Sequence, residues 1–141
     1  MDHILTIRLY AAAIGIVIGE FLGSFDDLLY ALIAFVVAYY ITGVLKAIAE
    51  KNLSSAIGFK GICKKFCIFT LVGVANVLDV HIIGSGCVLR SAVIFFYISN
   101  EGISIIENAA QMGLPVPQQL QNTLLRIYSD KGTNTKGEND K

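Results

Sequence analysis

Apolar residues come in long unbroken runs along this chain, not in the three-and-four spacing of a water-facing helix. Residues 28–45, LLYALIAFVVAYYITGVL, contain no charged side chain. At roughly 1.5 Å per helical residue such a run reaches about 27 Å, close to a hydrocarbon core of about 30 Å. Tyr39 and Tyr40 near one end suit the interface, where amphipathic rings settle. Residues 4–25 form a weaker run, in which Arg8 can snorkel to the headgroups and Glu20 is harder to hide. Acidic Asp2 and Glu20 argue against a cleaved signal peptide. Residues 66–83 make a third run, broken by Gly84-Ser85-Gly86, and residues 91–110 a fourth, closed by Gly113, Pro115 and Pro117. Leu120, Leu124, Ile127 and Tyr128 then recur at helical spacing, which predicts a short amphipathic helix on the membrane or against a partner. The pattern thus predicts an all-α integral membrane helical bundle of four transmembrane helices, three if the first run does not cross. Residues 1–115 would form the transmembrane domain, 116–128 the amphipathic helix and 129–141 a disordered polar tail.

Composition strengthens this reading. The chain is 55% hydrophobic and only 16% charged, with a mean hydropathy of +0.64; soluble domains carry about 25% charged residues. Net charge is +0, so no global field favours nucleic acid. The distribution of charge matters more. Residues 46–65 carry Lys46, Lys51, Lys60, Lys64 and Lys65 against Glu50 alone. Short basic loops stay in the cytoplasm, so four spans would return both termini there, compatible with Arg126, Lys131, Lys136 and Lys141 in the tail. The stretch holding Asp79, His81 and Arg90 has no positive excess and would be an outer loop. Ser24-Phe25-Asp26-Asp27 reads as a turn with an N-cap for the second helix.

Candidate chemistry concentrates in the fourth run. Tyr97, Asn100, Glu101, Ser104, Glu107, Asn108 and Gln111 recur every three or four residues and fall within a stripe about 120° wide. A carboxylate at mid-membrane costs about 2.5–3.5 kcal/mol even on a lenient scale, so this side must face helices or water. Two readings stay open: hydrogen-bonded glue inside the bundle, or the lining of an aqueous path between associated copies. Four helices about 10 Å wide enclose almost no lumen, so a sizeable hole needs many copies. In the first run Ala11, Gly15, Gly19 and Gly23 form a stripe of small residues that permits close helix packing in lipid. Cys63 and Cys67 share a helical face without a further Cys pair or a nearby His, so they read as apolar fillers. No catalytic motif, cofactor or metal site is expected; His81 beside Asp79 resembles a base and its orienting acid only weakly.

Several segments resemble a known family, the phage holins that include the clostridial toxin-secretion and phage lysis holins. They are Tyr40-Ile41-Thr42-Gly43-Val44-Leu45, Leu53-Ser54-Ser55, Ile57-Gly58-Phe59-Lys60-Gly61-Ile62 and Lys64-Lys65, then Leu78-Asp79, Arg90 and 92–98. The last is Asn100-Glu101-Gly102-Ile103-Ser104-Ile105-Ile106-Glu107-Asn108-Ala109, followed by Gly113, Pro115-Val116-Pro117 and Leu120. They span roughly 28–125, whereas the first run and the tail match little beyond hydropathy. Where the family usually has an Asp, this chain has Tyr39. The resemblance implies a protein that accumulates in the host's cytoplasmic membrane, oligomerises with itself and opens lesions. Through these a cell-wall hydrolase or a toxin would leave. The alternatives are an antagonist (antiholin) that binds such a partner, and a small channel or transporter subunit using Glu101 as an ion site.

Overall fold

The computed structural model describes residues 2–84 and 86–132. They form five α-helices: α1 (Asp2–Leu22), α2 (Asp27–Ala49), α3 (Ser55–Val77), α4 (Val88–Gln111) and α5 (Gln118–Gly132), with no strand among the described residues. The last turn of α3 widens into a π turn at Leu78–Ile83, which Gly84 closes in the left-handed conformation at φ +70°. Counting this turn, four helices are long and apolar enough to cross a membrane.

The core is built from helical spacing. Leu29, Leu32 and Val36 of α2 fall on one face, as do Ile68 and Val72 of α3 and Ile94 and Ile98 of α4, and these three faces meet. α4 is the hub, packed against α2, α3 and α5, while α2 and α3 touch each other only sparingly. α1 packs along α3, and its C-terminal turn also reaches the core and Arg90 of α4. Most of α1 is exposed apolar surface, from Ile4 to Val17. That surface needs hydrocarbon or a partner, because a soluble monomer rarely shows so large an apolar patch.

Three expectations need correction. Residues 46–65 are not a loop: α2 continues to Ala49 and α3 begins at Ser55, leaving 50–54 as the connection. The lysines misled because cations are tolerated on a helix that protrudes from the bilayer. α3 with its π turn spans 29 residues, about 43 Å against a core of about 30 Å. Asp79 and Arg90 do not stand in an outer loop; they are 1% and 3% exposed. The helical pattern also continues past Ser129 to Gly132. Lys136 and Lys141, with the side chains of Tyr128 and Lys131, lie outside the described residues. α5 folds back on α4 and buries Leu124. It fits because Gly102 leaves a notch: a β-carbon there would lie 2.8 Å from Leu124 Cδ2 and 3.0 Å from Phe35 Cε1.

Candidate functional site

Two polar clusters and one outward face carry the chemistry. The first cluster ties the helices together at the end of the bundle that bears the α1–α2 and α3–α4 turns. The last carbonyls of α1 have no partners within their own helix, and side chains of α3 and α4 supply donors. Asn76 Nδ2 donates to the carbonyls of Glu20 at 3.3 Å and Phe21 at 3.1 Å. Arg90 Nε donates to the carbonyl of Leu22 at 2.6 Å, and its Nη2 to that of Ser24 at 3.0 Å. The same guanidinium forks onto Asp26, with Nη1 to Oδ2 at 2.8 Å and Nη2 to Oδ1 at 3.2 Å. Asp26 in turn caps α2, accepting from the Leu29 amide at 2.9 Å, as its place before the run implied. Asp79 caps α4: its oxygens accept from the amides of Leu89 at 3.1 Å and Arg90 at 2.8 Å. It therefore orients no base, and His81 is exposed. The Arg90 bond is the main reason that the Asp26 carboxyl is held below its ordinary value of 3.8.

Glycine makes this knot possible at one position. Gly23 has φ +89°, and a β-carbon there would press on Asn76 and Arg90. Of the small-residue stripe, Gly23 and Gly19 are thus packed, a β-carbon at Gly19 falling 3.2 Å from the Phe25 ring, whereas one at Gly15 would meet nothing and Ala11 is exposed.

The second cluster lies deeper, between α3 and α4. Lys65 Nζ binds both oxygens of Glu101, at 2.6 and 2.7 Å. The side chains are 16% and 4% exposed. The same ammonium sits 3.9 Å from the centre of the Tyr39 ring, a cation–π contact. At Tyr39 it is thus a ring face, not a carboxylate, that meets the cation. One turn of α2 further on, Asn108 Nδ2 donates to Thr42 Oγ1 at 3.3 Å. Of the five lysines between residues 46 and 65, only Lys65 is drawn into the bundle; Lys51, Lys60 and Lys64 are exposed and Lys46 is half-buried.

The structure divides the polar stripe of α4. Glu101 is buried and bonded, and Asn108, Tyr97 and Ser104 are half-buried. Tyr97 rests edge-on against Phe96 at 5.1 Å between ring centres, and Ser104 donates to the Asn100 carbonyl at 3.0 Å. Asn100, Glu107 and Gln111 are exposed. At about 100° per residue, Asn100 and Glu107 lie roughly 160–180° around the helix from Ile98, the middle of the buried face. Asn100 is also central along Val88–Gln111. The bundle thus turns Asn100 outward halfway along a helix long enough to span a bilayer, and Glu107 outward on the same side nearer the helix's C-terminal end.

Sequence comparison places these features in a family. The model of the bacteriophage holin family matches residues 16–129, which hold both clusters and the outward face. An uncharacterised protein of Listeria innocua is 44% identical over 127 residues, covering 90% of this chain and 89% of that one. An uncharacterised 14.9 kDa protein of Clostridium perfringens is 39% identical over 109 residues, 77% of this chain and 83% of its own. A probable holin of the Bacillus phage phi105 is 42% identical over 95 residues, 67% and 70% of the two chains. No solved structure matches the chain. With the family model matching most of its length, and four helices able to span a membrane, this membrane protein belongs to the bacteriophage holin family.

Proposed function

We propose that the chain acts as a lesion-forming holin: copies associate in the bacterial cytoplasmic membrane through the outward side of α4 and, above a threshold density, enclose water. A cell-wall hydrolase or a toxin then leaves through the opening, and the chain itself performs no catalysis. In this reading the lysine-bearing end of α2 and α3 faces the cytoplasm, as do both termini.

The observation that carries the proposal is Asn100, exposed at the middle of a spanning helix with no bond to its side-chain amide among the described residues. An amide transferred to hydrocarbon without a partner costs about 4–8 kcal/mol on the alkane scale. Glu107 adds a carboxyl on the same side. Facing lipid is therefore the worst arrangement for this surface, and a second copy or water relieves it. A channel built on Glu101 is less well supported, because Lys65 already holds both of its oxygens.

Expression in a bacterial host tests the proposal. Abrupt collapse of membrane potential, together with release of a co-expressed cytoplasmic cell-wall hydrolase, is the expected result. Continued growth would favour an antagonist, and ion leakage without protein release would favour a channel; either would overturn the proposal.

A further inference from the structure

α2 and α3 are consecutive in sequence yet barely touch, and a space opens between them beside the 50–54 connection. The gap is a cleft of about 1010 Å³, at the top of the range for small-molecule pockets. Its mouth carries Lys46, Lys60 and Lys64, and its wall includes Val44 and Ile57. A second furrow of about 230 Å³ continues along the same two helices, walled by Val36, Val37, Phe66 and Phe69. Tyr40, Ile62 and Lys65 line both, so the two spaces are one groove, cationic at the mouth and apolar below.

The charge at the mouth is only partly compensated. Lys65 is committed to Glu101. No carboxylate pairs with Lys46, Lys60 or Lys64 among the described residues. Glu50 is the one acid lining the cleft, which leaves two positive charges in excess. Lys60 and Lys64 are one helical turn apart, so both ammonium groups reach the same volume. The position along the membrane also fits. α3 is about 13 Å longer than the hydrocarbon core, which puts its first turns at headgroup level and the furrow among the acyl chains. A free anion would satisfy the lysines and leave the furrow empty; an apolar chain would fill the furrow and leave the lysines unpaired.

We propose that this groove binds an anionic phospholipid, with its phosphate among Lys46, Lys60 and Lys64 and one acyl chain lying between α2 and α3. The bound lipid takes the place of the contacts that α2 and α3 do not make with each other. The proposal requires only that the chain spans a bilayer, not that it opens lesions.

The chain contains no tryptophan, so Tyr40→Trp places a single fluorescent reporter where the cleft meets the furrow. The full chain carrying it is reconstituted with phosphatidylglycerol or phosphatidylcholine bearing brominated acyl chains. Phosphatidylglycerol is expected to quench at a mole fraction about fivefold or more lower, fivefold being what a single lysine near an anionic headgroup supplies at roughly 1 kcal/mol. A control reporter, Tyr10→Trp on the exposed side of α1, should show less than a twofold preference. Combined replacement Lys46→Gln, Lys60→Gln and Lys64→Gln should abolish the preference at Tyr40→Trp, and the same three changes to Arg should keep it. Native mass spectrometry of the unmutated chain, extracted from an equal mixture of the two lipids, should show retained phosphatidylglycerol. Equal quenching by both lipids, a preference that survives the triple Gln variant, or no retained phosphatidylglycerol would each overturn the proposal. So would displacement of the lipid by glycerophosphoglycerol, the headgroup without its chains, which would mark a free-anion site.

Discussion

Breaking the Lys65–Glu101 pair should reveal an asymmetry set by where each partner can go. The pair is short, at 2.6 and 2.7 Å, and largely desolvated. Removing one member of a buried pair typically costs about 3–5 kcal/mol, because the other charge is left without a partner. Glu101 is 4% exposed on a short side chain at the centre of the hub helix, so Lys65→Met should fall near the upper end. Lys65 is 16% exposed, lies eleven residues into α3 and has a long apolar stem, so it can swing toward the lysine-bearing end. Glu101→Met should therefore fall near the lower end, about 3 kcal/mol, with the Tyr39 ring retaining part of the cation's stabilisation. The double variant Lys65→Met/Glu101→Met leaves no charge to strand and should lie within about 1 kcal/mol of the parent. Denaturant unfolding of the full chain in detergent micelles, run as a double-mutant cycle, measures this directly. The singles would sum to about 8 kcal/mol if they acted independently. A double variant as unstable as that sum, or singles that cost less than 1 kcal/mol each, would refute the reasoning.

Further consequences concern the other elements. Asn100→Leu should weaken self-association in bilayers by about 1–2 kcal/mol, roughly 5- to 30-fold in Kd, while Glu101→Gln, on the inward side, should leave dye leakage per folded molecule unchanged; cross-linking and leakage on the same vesicles check both. A β-carbon at Gly73 would overlap the Phe21 ring, so Gly73→Val should cost about 1–3 kcal/mol and loosen α1 alone, read as faster hydrogen exchange at residues 16–24 with α2 and α4 unchanged. The folded carboxyl of Asp26 titrates below 3.8, so its bond to Arg90 contributes fully above that pH and is lost as pH falls through the lower folded value. The side chain is 42% exposed, which limits the effect to about 1 kcal/mol or less. Stability between pH 5 and 7 should be flat in this respect, the decline should come below pH 3.8, and Asp26→Asn should remove that component.

What was legible in the sequence follows from how each feature is encoded. The spans were visible because lipid demands continuous apolar runs, and Asp26 was visible because an N-cap acts on a residue three places away. The polar stripe of α4 was visible as a local period. Its division into an inward and an outward half was not, because that depends on how α4 is rotated against α2 and α3. Lys65 meets Glu101 across 36 residues and Arg90 meets Asp26 across 64, separations at which no local pattern signals a partner. Arg90 and Asp79 carried a weak signal all the same: two charges beside the glycine-flanked turn are costly near lipid unless paired, and pairing was the alternative to an outer loop. The lysines of 46–65 give no local sign of helix, because a basic stretch between two apolar runs fits a cytoplasmic loop as well as helices extending beyond the bilayer. Docking of α5 depended on the Gly102 notch, and a glycine beside a polar stripe does not announce what fills it.

Reconstitution of the purified full chain at rising protein-to-lipid ratios, with self-association and release of a protein-sized dextran followed on the same vesicles, tests whether the outward side of α4 gathers copies around water. Clustering should precede release, and release should begin abruptly above a threshold density. Vesicles that stay sealed, with the protein monomeric at every density, would contradict it.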